Sequence, residues 1–324
     1  MTVPMPPDSN QATAAAQPAA ISAQLRGMAC IVAGVAIFSV QDLVIKLLSG
    51  DYPLHQAMTI RSLTATPLLL LLVLYEVGWN GVIARRPGAL LLRGVVMFCA
   101  YTGYYLGLAA MPIATCIALF FTAPLFITIL SIPLLGERAG PRRWAAVLFG
   151  FTGMLVMLRP DSDVFIWTSL LPVFAALCYG LSQIMARRLG TFDRASVMAL
   201  YGNGVFLIGG LLLSAVFGSG AFADEDNRGL AFLLRGWVMP SLTDFLLMVA
   251  CGVVAAAALV LLTHAYTIAE ANTVAPFEYT ALIWGVLYGW LFWNELPDAW
   301  TWIGIVIIMA AGLVILQRQR RAAG

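Results

Sequence analysis

The chain has 324 residues, 61% of them hydrophobic and 10% charged, with a formal net charge of +2 and a mean hydropathy of +0.90. A soluble domain carries about 25% charged residues, so a water-soluble fold is excluded, and so small a net charge excludes a nucleic-acid surface. At roughly 20 residues per membrane-crossing helix, the composition fits a polytopic protein whose partner is the lipid bilayer.

The chain opens on a polar segment rich in Ala, Gln, Pro and Ser, with no Lys or Arg in its first 24 residues. It lacks the basic start of a secretory signal, and residues 1–26 read as a disordered cytoplasmic tail. Ten apolar runs follow, near 28–48, 56–76, 93–111, 113–134, 143–159, 165–186, 195–217, 243–265, 271–293 and 299–316. Each is long enough to cross hydrocarbon as a helix that satisfies its own backbone. The alternating ten-residue segments of a membrane barrel are absent. Gly202, Asn203 and Gly204 are expected to interrupt the seventh run, and Pro67, Pro124, Pro133 and Pro172 to interrupt others. Gly103 with Gly107, and Gly285 with Gly289, have the spacing that lets helices approach closely. The 217–242 stretch is the one long loop, and its Asp224–Asp226 run reads as solvated. Residues 319–324 form a basic cytoplasmic tail.

Ten spans put both termini on one side. With that side cytoplasmic, 13 of the 18 Lys and Arg fall in inside segments, and Arg159, Arg228 and Arg235 remain outside. The positive-inside rule then places both termini in the cytoplasm of a cell whose inner membrane holds the protein.

An offset of 158 positions superposes the two halves without a gap: Thr115 on Thr273, Thr122 and Ala123 on Thr280 and Ala281, Glu137 on Glu295, Trp144 on Trp302, and Gly94 on Gly252. Shared composition explains matching Leu and Ala but not a Glu and a Trp recurring in register. The halves are residues 27–160 and 161–318, five spans each. An odd number of spans inverts the second half. The fold class is therefore all-α, with ten transmembrane helices in a 5+5 inverted repeat, a design common among secondary transporters.

Ala123, Pro124 and Leu125, followed by Gly136, Glu137, Arg138 and Gly153, together with Tyr279, Thr280 and Ala281, followed by Asn294, Glu295 and Gly312, resemble the EamA type of the drug/metabolite transporter superfamily. The resemblance covers most of residues 27–318. It departs at Asn294 and Leu282, where the family often has Gly and Pro. It implies a carrier of a small organic metabolite with a central cavity between the halves. Asp42, Lys46, Arg61, the Ala275–Tyr279 run and the Asn294–Asp298 run are similar to the S-adenosylmethionine uptake group, and riboflavin uptake carriers share the layout. Exporters of drugs or amino acids have the same fold.

No catalytic or metal constellation stands out. His55 and His264 are far apart, the five cysteines have no C-x-x-C spacing, and the only lysine, Lys46, follows Ile45 where a Walker loop needs Gly. The expectation is a non-enzyme without a cofactor; a membrane enzyme is the remote alternative. Charges within spans are costly and mark candidate sites. Asp42 and Lys46 share a helix face, and Arg61 lies at a similar depth; the three form either a structural ion cluster or a charge-selective gate. Glu278 follows Pro276 without an obvious local partner and is a candidate proton carrier, with His264 as a possible neighbour and protons as the candidate coupling ion. Tyr104, Tyr279 and Trp284 could stack on a planar or cationic solute, and Gln183 and Asn203 add uncharged donors.

Overall fold

The computed structural model describes residues 9–136, 140–159, 167–223, 228–269 and 274–322. The Glu137–Arg138 pair, Thr273 and the Asp224–Asp226 run lie outside the described residues. In chain order the helices are α1 (Ser9–Leu48), α2 (Leu54–Glu76), α3 (Pro87–Ala110), α4 (Ile113–Phe120), α5 (Ala123–Leu135), α6 (Pro141–Leu158), α7 (Leu170–Leu189), α8 (Ala195–Phe217), α9 (Arg228–Leu234) and α10 (Leu242–Ile268). A 3₁₀ turn (Ala275–Thr280), α11 (Ala281–Trp293) and α12 (Ala299–Ala322) complete the chain.

Among the described residues, seven helical stretches are long and apolar enough to cross a membrane, one of them Ile113–Leu135, which combines α4 and α5. Val147–Leu158 and Ala299–Ala311 are shorter apolar helices. With the 275–293 segment these give ten helical segments, matching the ten apolar runs. The pairings have the symmetry of an inverted repeat. Span 1 (α1) packs on span 8 (α10) and span 3 (α3) on span 6 (α7), which are the same pair with the halves exchanged. Span 2 with span 8 and span 7 with span 3 (α2–α10 and α8–α3) likewise exchange. The α2–α8, α6–α12 and α4–α11 contacts map onto themselves.

Small residues bring these pairs together. A Cβ on Gly304 would sit 2.7 Å from the Gly153 carbonyl across α6–α12, and one on Gly107 would meet Pro172 of α7 at 2.8 Å. Gly285 and Gly289 receive Ile117 and Ile113 of α4. The glycine spacings thus serve close packing.

Helix α1 begins at Ser9, ahead of the first apolar run, where alanines and glutamines are strong helix formers. Two expectations are corrected here. Gly202–Gly204 does not break the seventh span, since α8 runs unbroken from Ala195 to Phe217. A helix in hydrocarbon retains its ladder because no water competes for the backbone. Pro67 and Pro133 also sit inside continuous helices. The true breaks are at Phe121–Thr122, between α4 and α5, and at the 3₁₀ turn before α11. The 158-residue offset places Ala123, where α5 begins, on Ala281, where α11 begins.

The described part of the long loop after residue 227 contains α9, and the stretch that follows it is tied to the α1–α2 turn and the start of α2. Arg235 donates to the Ser49 carbonyl (3.3 Å), Trp237 Nε1 to His55 Nδ1 (3.1 Å), Gln56 Nε2 to the Val238 carbonyl (2.7 Å) and Tyr52 to Asp244 (2.8 Å). That last bond to a carboxylate holds the Tyr52 hydroxyl above the usual phenol range.

Candidate functional site

A cavity of about 110 Å³ lies between the halves, walled by α1, α2, α3, α4, α7, α8, α10 and the 3₁₀ turn. Both broken spans reach it: Phe120 and Phe121 come from the first break, Glu278 and Ala281 from the second. Discontinuous helices at a repeat interface are a common way to build a solute site at mid-membrane.

The wall is an aromatic belt. Ring centroids step from Phe206 to Tyr101 (5.0 Å), Tyr105 (4.2 Å), Tyr104 (5.1 Å), Phe120 (5.1 Å) and Tyr179 (5.2 Å). The i, i+4 spacing of Tyr101 and Tyr105 stacks them on one face of α3. Tilted and edge-to-face contacts of this kind are the favoured ones for aromatic rings.

Each end of the belt carries charge. At one end Asp42 accepts from Tyr105 (2.6 Å) and Tyr104 (3.1 Å), one hydroxyl to each carboxylate oxygen. Gln41 links this pair to Arg61: its Nε2 donates to the Tyr105 hydroxyl (2.8 Å), and its Oε1 accepts from Arg61 Nε (2.8 Å). Arg61 is fully buried, with its guanidinium carbon 4.8 Å from the Tyr101 ring and 5.3 Å from that of Phe206. At the other end Glu278 Oε1 accepts from Tyr179 (2.5 Å) and Tyr266 (2.6 Å). Charge-assisted hydrogen bonds of this type make a buried carboxylate tolerable.

Of the sequence candidates, Asp42, Arg61, Tyr104, Gln183 and Glu278 line the cavity, and four do not. Lys46 lies one turn beyond Asp42, donates to the Leu108 (3.2 Å) and Met111 (2.5 Å) carbonyls, and lines a separate pocket of about 640 Å³ with Arg235, Trp293 and Glu295. A long lysine stem carries its charge toward the end of the helix. Asn203 instead joins α8 to α2, donating to the Ser62 carbonyl and to Thr66 Oγ1, both at 3.0 Å. Tyr279 points to α12, its ring against Phe121 and its hydroxyl 3.5 Å from the Ile308 carbonyl. In a 3₁₀ turn successive residues diverge by about 120° while i and i+3 eclipse, so Glu278 and Ala281 share the cavity face and Tyr279 turns away. Trp284 is further along α11, half-buried beside Tyr288.

The expected ion cluster is replaced by a hydrogen-bonded relay, since Asp42 bonds to tyrosines and reaches Arg61 only through Tyr105 and Gln41. Glu278 has two tyrosine partners and His264 is exposed, so that pairing is not formed. Arg93, counted above with the loop residues, is buried in α3 and donates to the Ser182 carbonyl (3.2 Å).

Sequence reasoning missed Gln41, Tyr101, Phe206 and Tyr266. Gln41 had a signal, being a polar residue beside Asp42 in an apolar run. Phe206 and Tyr266 had none, because aromatics on a cavity wall and aromatics in a core have the same pattern.

The sequence profile of the EamA-like transporter family matches twice, over residues 25–159 and 166–317. A riboflavin transporter of Rhizobium johnstonii is 35% identical over 248 residues, 76% of each chain. An S-adenosylmethionine uptake transporter of Rickettsia prowazekii is 26% identical over 94% of this chain and 96% of its own. A pseudopaline exporter of Pseudomonas aeruginosa is 28% identical over 87% of this chain and 93% of its own. A protein crystal structure aligns with a TM-score of 0.61 at 20% identity, over 94% of this chain and 99% of that one, a likeness of fold. These relatives carry small solutes and are membrane proteins, and two matches to one profile agree with a duplicated, multi-pass chain. The chain belongs to the EamA-like transporter family, within the drug/metabolite transporter superfamily.

Proposed function

We propose that the protein is a secondary active carrier that moves a flat aromatic metabolite of the riboflavin class across a bacterial inner membrane by alternating access. The aromatic belt is the observation that carries this reading. Its rings offer stacking faces and edges along the whole cavity, and the likeness to a riboflavin transporter agrees with it. The cavity, at about 110 Å³, is smaller than the roughly 300–1,000 Å³ of ligand pockets. The halves therefore have to part to admit a flavin, as alternating access requires. Both termini are cytoplasmic in this reading. Moving Arg93 into the membrane still leaves 12 basic residues inside against three outside. Glu278 exchanges the coupling proton, released or taken up as its two tyrosines rearrange.

A second solute class is favoured by a separate observation: two carboxylates and many π faces also suit an organic cation such as S-adenosylmethionine. Uptake of labelled riboflavin into bacteria that lack their own riboflavin synthesis and transport tests the choice. Expression of the protein is expected to restore uptake, and excess S-adenosylmethionine is expected to leave it unchanged. Uptake of S-adenosylmethionine in place of riboflavin would select the second class, and uptake of neither would overturn both.

A further inference from the structure

Arg61 has unused hydrogen-bond donors. Its Nε donates to Gln41, but Nη1 and Nη2 are buried with no hydrogen-bond partner among the described residues. Asp42 does not fill the gap: its oxygens bond to the Tyr104 and Tyr105 hydroxyls and make no hydrogen bond to Arg61 among the described residues. The Tyr101 and Phe206 rings offset part of the charge but accept no directed hydrogen bond in the guanidinium plane. Unpartnered charged donors are costly away from water, and Arg61 lines the cavity. The planar fork of Nη1 and Nη2 matches two acceptors side by side.

We infer that Arg61 docks a ligand edge bearing two adjacent hydrogen-bond acceptors, either a carboxylate or a ring nitrogen next to a carbonyl on a flat heterocycle. The rest of the ligand then lies along the belt toward Glu278, so Arg61 sets the orientation as well as the class of solute. Lysine in its place would keep the charge and lose the fork. This inference rests on the carrier reading above and narrows its solute.

Calorimetric titration of the purified full-length protein tests it with two parent and analogue sets. Riboflavin is compared with its 1-deaza and 5-deaza analogues, in which one ring nitrogen beside a carbonyl becomes C–H. S-adenosylmethionine is compared with its decarboxylated form. In the wild type the parent that binds is expected to lose about tenfold or more in affinity on losing an acceptor, the scale of one charge-assisted hydrogen bond. Arg61→Lys is expected to weaken the parent by a similar factor and to leave the acceptor-depleted analogue nearly unchanged, the coupling expected of groups in direct contact. If Arg61→Lys fails to fold, the wild-type series alone decides. Equal binding of parent and analogues would overturn the inference and leave the carrier reading standing. Equal weakening of parent and analogue by Arg61→Lys would assign Arg61 a structural role and do the same. Binding of neither parent would overturn the proposed solute classes together with it.

Discussion

At the residue scale, the cavity carboxylates are held by tyrosine hydroxyls and Arg61 by an amide and two rings rather than by opposite charges, and that arrangement has consequences for substitution. Tyr105 accepts from Gln41 and donates to Asp42, so Tyr105→Phe would strand a buried carboxylate oxygen and leave the Gln41 amide only its longer bond to the Tyr101 hydroxyl (3.4 Å). A loss of about 1–3 kcal/mol is expected, readable as a lower melting temperature in detergent, together with loss of transport. Transport by Glu278→Gln is expected to lose its pH dependence, because an amide carries no exchangeable acid proton. A pH profile like that of the wild type would remove Glu278 as the proton site. The cost of charge in hydrocarbon made Asp42, Arg61 and Glu278 stand out in the sequence. The pairings were not legible, because tyrosines from α3, α7 and α10 meet the two carboxylates only after folding, at separations of 12 to 99 residues.

At the element scale, span positions were legible because length and hydropathy alone specify a crossing. Both breaks that form lie beside prolines the sequence marks, Pro124 at the start of α5 and Pro276 in the 3₁₀ turn, whereas Pro67, Pro133 and Gly202–Gly204 stay inside helices because packing decides which candidates break. Lys46 was placed with Asp42 by helical spacing and Tyr279 by its ring chemistry, and a helix end and a 3₁₀ turn moved them off the cavity. Close packing yields a further prediction: Gly304→Leu would drive a side chain into the Gly153 carbonyl and Met157 of α6. Overpacking of this kind costs about 1–3 kcal/mol or more, so expression and melting temperature are both expected to fall, whereas Gly202→Ala, with open space around it, is expected to be tolerated. The start of α12 is capped by Asp298, which accepts from the Thr301 amide (2.9 Å) and pairs with Arg159. Partial burial pushes its carboxyl up, but the bonds from Thr301 and Arg159 outweigh that and hold it below the usual carboxylate range. Its contribution is therefore present at neutral pH and lost on acidification through the lowered value. Asp298→Ala is expected to cost about 1 kcal/mol at neutral pH and less in acid, as measured by melting temperature against pH.

At the scale of the whole molecule, duplication was readable from a Glu and a Trp in register, and the exchange-symmetric helix pairs carry the same two-fold relation into three dimensions. The solute was not readable to the same degree, because relatives of one fold are named for riboflavin, S-adenosylmethionine and pseudopaline, and the cavity wall is assembled from eight separate segments. A small cavity lined by both halves suits a carrier whose site faces one side at a time, and a carrier exchanges solute through a bound state whereas a pore does not. Counterflow tests this central claim most directly. Proteoliposomes loaded with excess unlabelled riboflavin and diluted into trace labelled riboflavin are expected to accumulate label transiently above its equilibrium level and then release it. A monotonic approach to equilibrium without that overshoot, in vesicles that do take up the label, would contradict alternating access.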